Sequence, residues 1–209
     1  MDSQFAKVLR FFSLLWVITA VGLFIGIFIP QALIMPISIA TIVILVIFMF
    51  SRTARKMSKW LSGLFALLTG ITLYSLINFY IGELGGGFVL IVFGTTAVIF
   101  VVTGLIGYNT KTNLSNWWKF LLIGLIGVIV FSLISIFVGF SDLVMVIASA
   151  FGVLLFVGYT IYDMNQIRHQ SISDEEVPLV ALNLYLDFVN LFRELLSLIY
   201  HLKNLLSGR

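Results

Sequence analysis

The sequence predicts an all-α membrane protein of seven transmembrane helices. Three observations carry that prediction. The 209 residues are 61% hydrophobic and only 10% charged, against about 25% charged in a soluble domain. Mean hydropathy is +1.15. The apolar residues gather into seven segments, each near the roughly 20 residues that span a bilayer as a helix. The length suits a single domain, residues 1–209. With no cysteine, disulfides, thiol nucleophiles and cysteine metal sites are excluded. A net charge of +3 does not argue for nucleic acid, because the basic residues flank apolar segments and carry topological information.

In order, the segments are Phe11–Ile29, Leu33–Phe50, Trp60–Tyr80, Gly87–Tyr108, Trp117–Val138, Leu143–Tyr162 and Val177–Leu202. Lys7 and Arg10 before the first segment imitate a signal peptide. The run is too long for one and no small-residue cleavage site follows, so it reads as a retained helix. Pro30 closes it. Trp60, Tyr80, Tyr108, Trp117, Trp118 and Tyr200 lie near segment ends, where amphipathic rings prefer the headgroup layer. Gly22 and Gly26 form a small-xxx-small pair. With Gly63, Gly70, Gly94, Gly104, Gly124, Gly127, Gly152 and Gly158 they are expected to let helices approach closely. Gly85–Gly87 reads as a flexible turn. With the N-terminus cytoplasmic, nine of the twelve Lys and Arg fall on the inner side. The positive-inside rule therefore places the N-terminus inside and, after seven spans, the C-terminus outside.

The seventh segment carries the costly groups. Asn183, Asp187, Asn190 and Glu194 recur at i, i+4, i+7 and i+11 and share a stripe on an otherwise apolar helix. That stripe is a candidate pore seam facing protein or a wet path. Tyr159, Asp163 and Gln166 share a face at the end of the sixth segment. The short turn through Ser173-Asp-Glu-Glu176 makes the sixth and seventh helices antiparallel neighbours, with Pro178 in the first turn. Asp187 lies nine residues past Pro178, about 14 Å along a helix, so both aspartates belong to the inner half of the membrane. Two carboxyls in contact in a low-dielectric setting titrate as a unit. With one shared proton they hydrogen-bond and tie the two helices; with none they repel or take a bridging cation. Asp163 and Asp187 with Asn and carbonyl oxygens also suit a hard cation such as Ca²⁺. The bland alternative is that each aspartate only fixes packing.

Arg52, at the inner end of the second segment, stands where it modulates the pair or is an ordinary inner-surface arginine. Arg193 and Glu194 read as a local ion pair. Thr95, Thr96 and Thr103 read as backbone-bonded hydroxyls. His169 and His201 are too far apart for a metal site. No lysine lies deep enough for a retinal pigment, and no phosphate loop is present. The histidines are misplaced for a serine protease, and aspartyl proteolysis is open only formally. The chain is expected not to be an enzyme and to hold no permanent cofactor.

Tyr162-Asp163-Met-Asn-Gln-Ile167, Leu184-Tyr-Leu-Asp187-Phe-Val-Asn-Leu-Phe192 and Phe93-Gly-Thr-Thr-Ala-Val-Ile-Phe100 together resemble the transmembrane Bax inhibitor motif family over nearly the whole chain. The resemblance implies a central seventh helix wrapped by helices one to six. It also implies a pH-sensitive calcium leak in a bacterial plasma membrane, gated by Asp163 and Asp187 with Arg52 as latch. Calcium ions, protons and the lipid bilayer would then be the partners. Thr41 stands where relatives can carry an acid in the second helix, which implies weaker or altered conduction. A proton-coupled cation exchanger and a non-transporting regulatory membrane protein are the competing readings.

Overall fold

The computed structural model describes residues 3–50 and 58–207. Among these residues there are seven α-helices: α1 Ser3–Gly26, α2 Gln31–Phe50, α3 Ser58–Leu84, α4 Gly86–Asn109, α5 Trp118–Phe137, α6 Asp142–His169 and α7 Val177–Ser207. A single 3₁₀ turn, Ser115–Trp117, precedes α5. Every predicted segment is a helix. Five stretches, in α1, α3, α4, Ser115–Ser135 and α6, are long and apolar enough to cross a membrane. Their outward faces are greasy: in α5 Leu121 is the only buried side chain among those described, while Phe120 and Ile123 are 75% and 70% exposed. Such a surface is stable in lipid and not in water. α7 departs from the pattern because Asp187, Arg193 and Glu194 interrupt it.

The helices sort into two compact units, Met1–Gly82 with Ser171–Tyr185 and Glu83–Gln170 with Leu186–Arg209. In the first unit α1 and α3 cross at backbone contact. A Cβ on Gly70 would stand 2.9 Å from the Gly22 Cα and 3.0 Å from the Leu23 nitrogen. A Cβ on Gly26 would stand 2.7 Å from the Tyr74 Cβ. The small-xxx-small pair therefore does pack helices. Thr19, fully buried, donates to the Leu15 carbonyl at 2.8 Å, so the Tyr185 hydroxyl at 2.7 Å donates to it. Tyr185 also lies against the Trp16 ring, 5.3 Å between centroids. These contacts fix the start of α7 in the unit.

The turn before α7 is held by charge. Lys7 Nζ reaches Asp174 Oδ1 at 2.6 Å, and Gln4 donates to the Ile172 carbonyl. Ser173 donates its backbone N–H and its hydroxyl to Glu176 Oε2 at 2.9 and 2.8 Å, one half of a capping box. The hydrogen bond and charge of Lys7 hold the Asp174 carboxyl below its usual range, and the two bonds from Ser173 do the same for Glu176. Because folding depresses these values, their contribution is present above the ordinary carboxylate range and lost as pH falls through the folded values. Acidifying below about pH 4 is expected to raise amide exchange across residues 171–176. Lys7→Ala should already show that raised exchange near Asp174 at neutral pH, where the wild type is protected.

In the second unit α4 packs on α6 through glycine. Gly107 meets the Ile161 backbone carbonyl with no room for a Cβ, and a Cβ on Gly104 would stand 3.1 Å from Met164 Cε. α5 packs on α6 at Gly124, where a Cβ would stand 2.6 Å from Leu155. Phe93 and Phe100 of α4 pack on Phe188, at 5.6 and 5.3 Å. Gly94 and Gly127 have open space around them, so they are not the packing glycines the sequence suggests. The expected flexible Gly85–Gly87 turn shrinks to one residue. Gly85 takes φ +89°, which only glycine adopts without strain, and Gly86 and Gly87 already belong to α4 because Val89 N–H bonds the Gly85 carbonyl. Thr96 and Thr103 bond the carbonyls of Val92 and Ile99 four residues back, as expected of hydroxyls in apolar helices.

Candidate functional site: two carboxyls on α6 and α7

Asp163 lies in α6 where the apolar segment gives way to polar helix. Its position is set by its two successors. Met164 is buried against Gly104. Asn165 is fully buried and holds the loop after α4: its Nδ2 reaches the carbonyls of Gly107, Thr110 and Thr112 at 3.2, 3.2 and 3.0 Å, while its Oδ1 accepts the Leu114 N–H at 2.8 Å. Arg168 caps the Tyr108 carbonyl at 2.7 Å. Asn165→Ala strands these loop groups. At about 1–3 kcal/mol for each buried polar group left unsatisfied, detergent-solubilised protein should lose several degrees in its thermal transition.

Asp187 sits in the middle of α7 and is 4% exposed. Leu184, Leu191 and Phe192 are buried around it on the same helix. Its Oδ2 is buried and accepts no hydrogen bond from the described residues. Asp163, half-buried, lies close enough for its charge to act on Asp187, and Tyr159 lies within reach of both. The structure thus brings Asp163, Asp187 and Tyr159 together. A buried carboxylate oxygen without a donor is costly. A proton shared with the neighbouring carboxyl, or a cation, relieves it.

The other predicted residues divide. Gln166 is engaged elsewhere: it receives a 2.5 Å bond from Gln170 and points its own amide towards Asn113 and Asn165 at 3.4 Å. Asn183 is exposed and Asn190 is half-buried. Glu194 is half-buried against Gly152, where a Cβ would stand 2.6 Å from its Cδ. The expected ion pair between Arg193 and Glu194 is not among the ion pairs of the described residues. Glu194 turns towards α6, whereas Arg193 is exposed. Thr41 is buried and donates to the Ile37 carbonyl, an ordinary helix bond. Arg52 lies outside the described residues.

For a cation the donor set is sparse. Among the described residues no three His, Asp or Glu side chains gather at one place. Two carboxylates can bind Ca²⁺ only with carbonyls, the Tyr159 hydroxyl or water making up its 6–8 oxygens. That suits transient passage better than tight residence. Sequence reasoning missed three residues: Asn165 as loop anchor, Tyr185 bonding Thr19, and Gly152 as the seat of Glu194. The signal for Asn165 was present, a polar residue beside Asp163 in an apolar context. The other two depend on partner helices.

The model of the family described as Inhibitor of apoptosis-promoting Bax1 matches residues 2–204. An uncharacterized protein of Helicobacter pylori is 33% identical over 193 residues, 91% of this chain and 83% of that protein. An uncharacterized protein of Borreliella burgdorferi is 35% identical over 149 residues, 68% of this chain and 62% of its own length. The inner membrane protein YbhL of Escherichia coli is 32% identical over 167 residues, 75% of this chain and 69% of that protein.

Proposed function

Because the chain belongs to the Bax inhibitor-1 family of membrane proteins, we propose that it is a passive, pH-gated calcium leak of a bacterial inner membrane, with the Asp163–Asp187 pair as its latch. One observation carries the reading: a nearly fully buried carboxylate, Asp187, has an Oδ2 with no donor among the described residues, near a second carboxyl on the neighbouring helix. At low pH one proton shared by the pair ties α6 to α7 and closes the path. As pH rises the pair loses that proton, both carboxylates are charged in a low-dielectric setting, and their repulsion parts the helices. The same two carboxylates then offer a transient site to Ca²⁺ as the permeant ion.

In this reading α7 is the central helix and α1–α6 wrap it. Its burial supports that placement: from Val177 to Tyr200 only Asn183 and Arg193 are exposed. The N-terminus is cytoplasmic, as the distribution of Lys and Arg favours. Arg52 modulates the latch from the inner side, pairing with one carboxyl in the closed state. Thr41 offers a hydroxyl and no charge in α2, so cations are drawn in less strongly than an acid there would draw them.

The test is calcium flux into liposomes that contain the purified protein. A leak dissipates a calcium gradient without moving protons in proportion. Stoichiometric proton counterflow against a gradient would establish an exchanger instead. Absence of flux at every pH from acid to alkaline would favour a regulatory role without transport.

A further inference from the structure

The polar groups of α6 and α7 do not end at the aspartates. They continue along the same antiparallel seam towards the end of α7. Tyr159 lies near enough to Asp187 to feel its charge. Two turns further, Gly152 faces Glu194, and a Cβ there would stand 2.6 Å from the Glu194 Cδ and 2.7 Å from its Oε2. A side chain at position 152 would displace that carboxyl from its seat. One turn beyond, the Ser149 and Ser197 hydroxyls bond at 2.7 Å. At the end of the seam, His201 Nδ1 meets Asp142 Oδ1 at 2.6 Å, both groups largely covered. Each α7 member follows the last by three or four residues, or by seven across Asn190, and so stays on one face of the helix.

A seam of helix-packing contacts in lipid has no need of a carboxyl, two hydroxyls and an imidazole–carboxylate pair in line, since small apolar residues pack as well. We infer that this seam is a proton path from the face of the membrane where α7 ends to the Asp163–Asp187 pair, with Glu194 in its Gly152 notch as the intermediate carrier. The inference rests on the latch reading above and adds which side of the membrane the latch senses: the side opposite the loop between α6 and α7.

The transfer balances at each step. A proton held by the Asp142–His201 pair passes to the serine pair, where each hydroxyl oxygen gains one proton as it releases its own. The Glu194 carboxylate takes the released proton and becomes neutral. Neutral Glu194 then loses it to the Asp187 carboxylate. Every hop breaks one N–H or O–H bond and forms one O–H bond. Glu194 and Asp187 lie seven residues apart, about 10 Å along the axis. Half-buried Asn190 keeps that interval polar, so that water can complete the chain. Among the described residues, the charged and titratable groups along the path are Asp163, Tyr159 and Tyr162 at its inner end, Asp142 and His201 at its outer end, and exposed Arg193 beside Glu194. Lys203 beyond it is turned to the Glu83 carbonyl.

The experiment uses full-length protein in liposomes and a pH jump on the face where α7 ends. The infrared carboxyl band that Asp187→Asn removes is followed in time. The path predicts that Glu194→Gln and Gly152→Val slow the appearance of that band at least about tenfold. Glu194→Asp should recover part of the rate, and Ser197→Ala should slow it less. A jump on the opposite face should give no band on the wild-type timescale in any variant, and a wild-type response to it would overturn the assigned side. A wild-type rate in both Glu194→Gln and Ser197→Ala overturns the path. Calcium flux in the same liposomes is a separate readout: its absence with a Glu194-dependent band would refute the leak and leave the proton path standing.

Discussion

Gly70→Val is expected to leave little folded protein. A Cβ at position 70 would meet three backbone atoms of α1, the Thr19 carbonyl oxygen, the Gly22 Cα at 2.9 Å and the Leu23 nitrogen at 3.0 Å. Backbone cannot swing aside as a flexible side chain can, so α1 and α3 must separate. Separation strips the Thr19–Tyr185 hydrogen bond and the Trp16–Tyr185 ring contact that seat the start of α7. Overpacking a core costs about 1–3 kcal/mol where neighbours can adjust; here they cannot, and the cost should exceed that range. Yield in detergent and the thermal transition are the measurements. Gly94→Val, into open space, is the control and should behave as wild type.

The second large effect is on gating. Asp187→Asn should leave the protein folded and hold flux low at every pH. An asparagine amide donates permanently to Asp163, as the shared proton does only at low pH, so the latch no longer opens. Asp163→Asn should do the same from the other side. A coupling of about 1–3 kcal/mol between a ligand and an equilibrium is worth about 5- to 150-fold, and wild-type flux should rise by a factor in that range between acid and alkaline pH. Both variants should lose the rise. If both keep the wild-type pH dependence, the latch lies elsewhere.

Most of the secondary structure was legible because the bilayer imposes a single solution on apolar segments. Seven such segments became seven helices, and the ends show where the rule stops. α6 runs on to His169, seven residues past the predicted end at Tyr162. Apolarity marks where the membrane ends, whereas the helix continues as long as Asn165, Arg168 and His169 find partners at the end of α4 and in the loop after it. α1 starts eight residues early, at Ser3, and stops at Gly26, with Ile27–Ile29 in a turn. Again the polar turns flanking an apolar run are helical by hydrogen bonding rather than by hydropathy.

The candidate site was half legible. An aspartate in an apolar helix stands out in one sequence, and so do two on adjacent segments. Spacing alone grouped Gln166 with Asp163, yet Gln166 is spent on Asn113, Asn165 and Gln170. The stripe of α7 came apart likewise: Asp187 is buried, Asn183 is exposed, and Glu194 is seated on a glycine. Helical periodicity tells which residues share a face and not what that face meets. The Gly152 notch illustrates the limit, since a glycine in a membrane helix reads as packing until the carboxyl opposite it is located.

The most direct test of the latch is the separation of α6 and α7 as a function of pH. With no native cysteine in the chain, spin labels can be placed at Leu154→Cys on α6 and Arg193→Cys on α7, both exposed positions. Their distance distribution is then measured in liposomes from acid to alkaline pH. The latch predicts a second, longer population that grows with pH and disappears when Asp187→Asn is added. One distribution unchanged across the whole range, while calcium flux still rises, would contradict it.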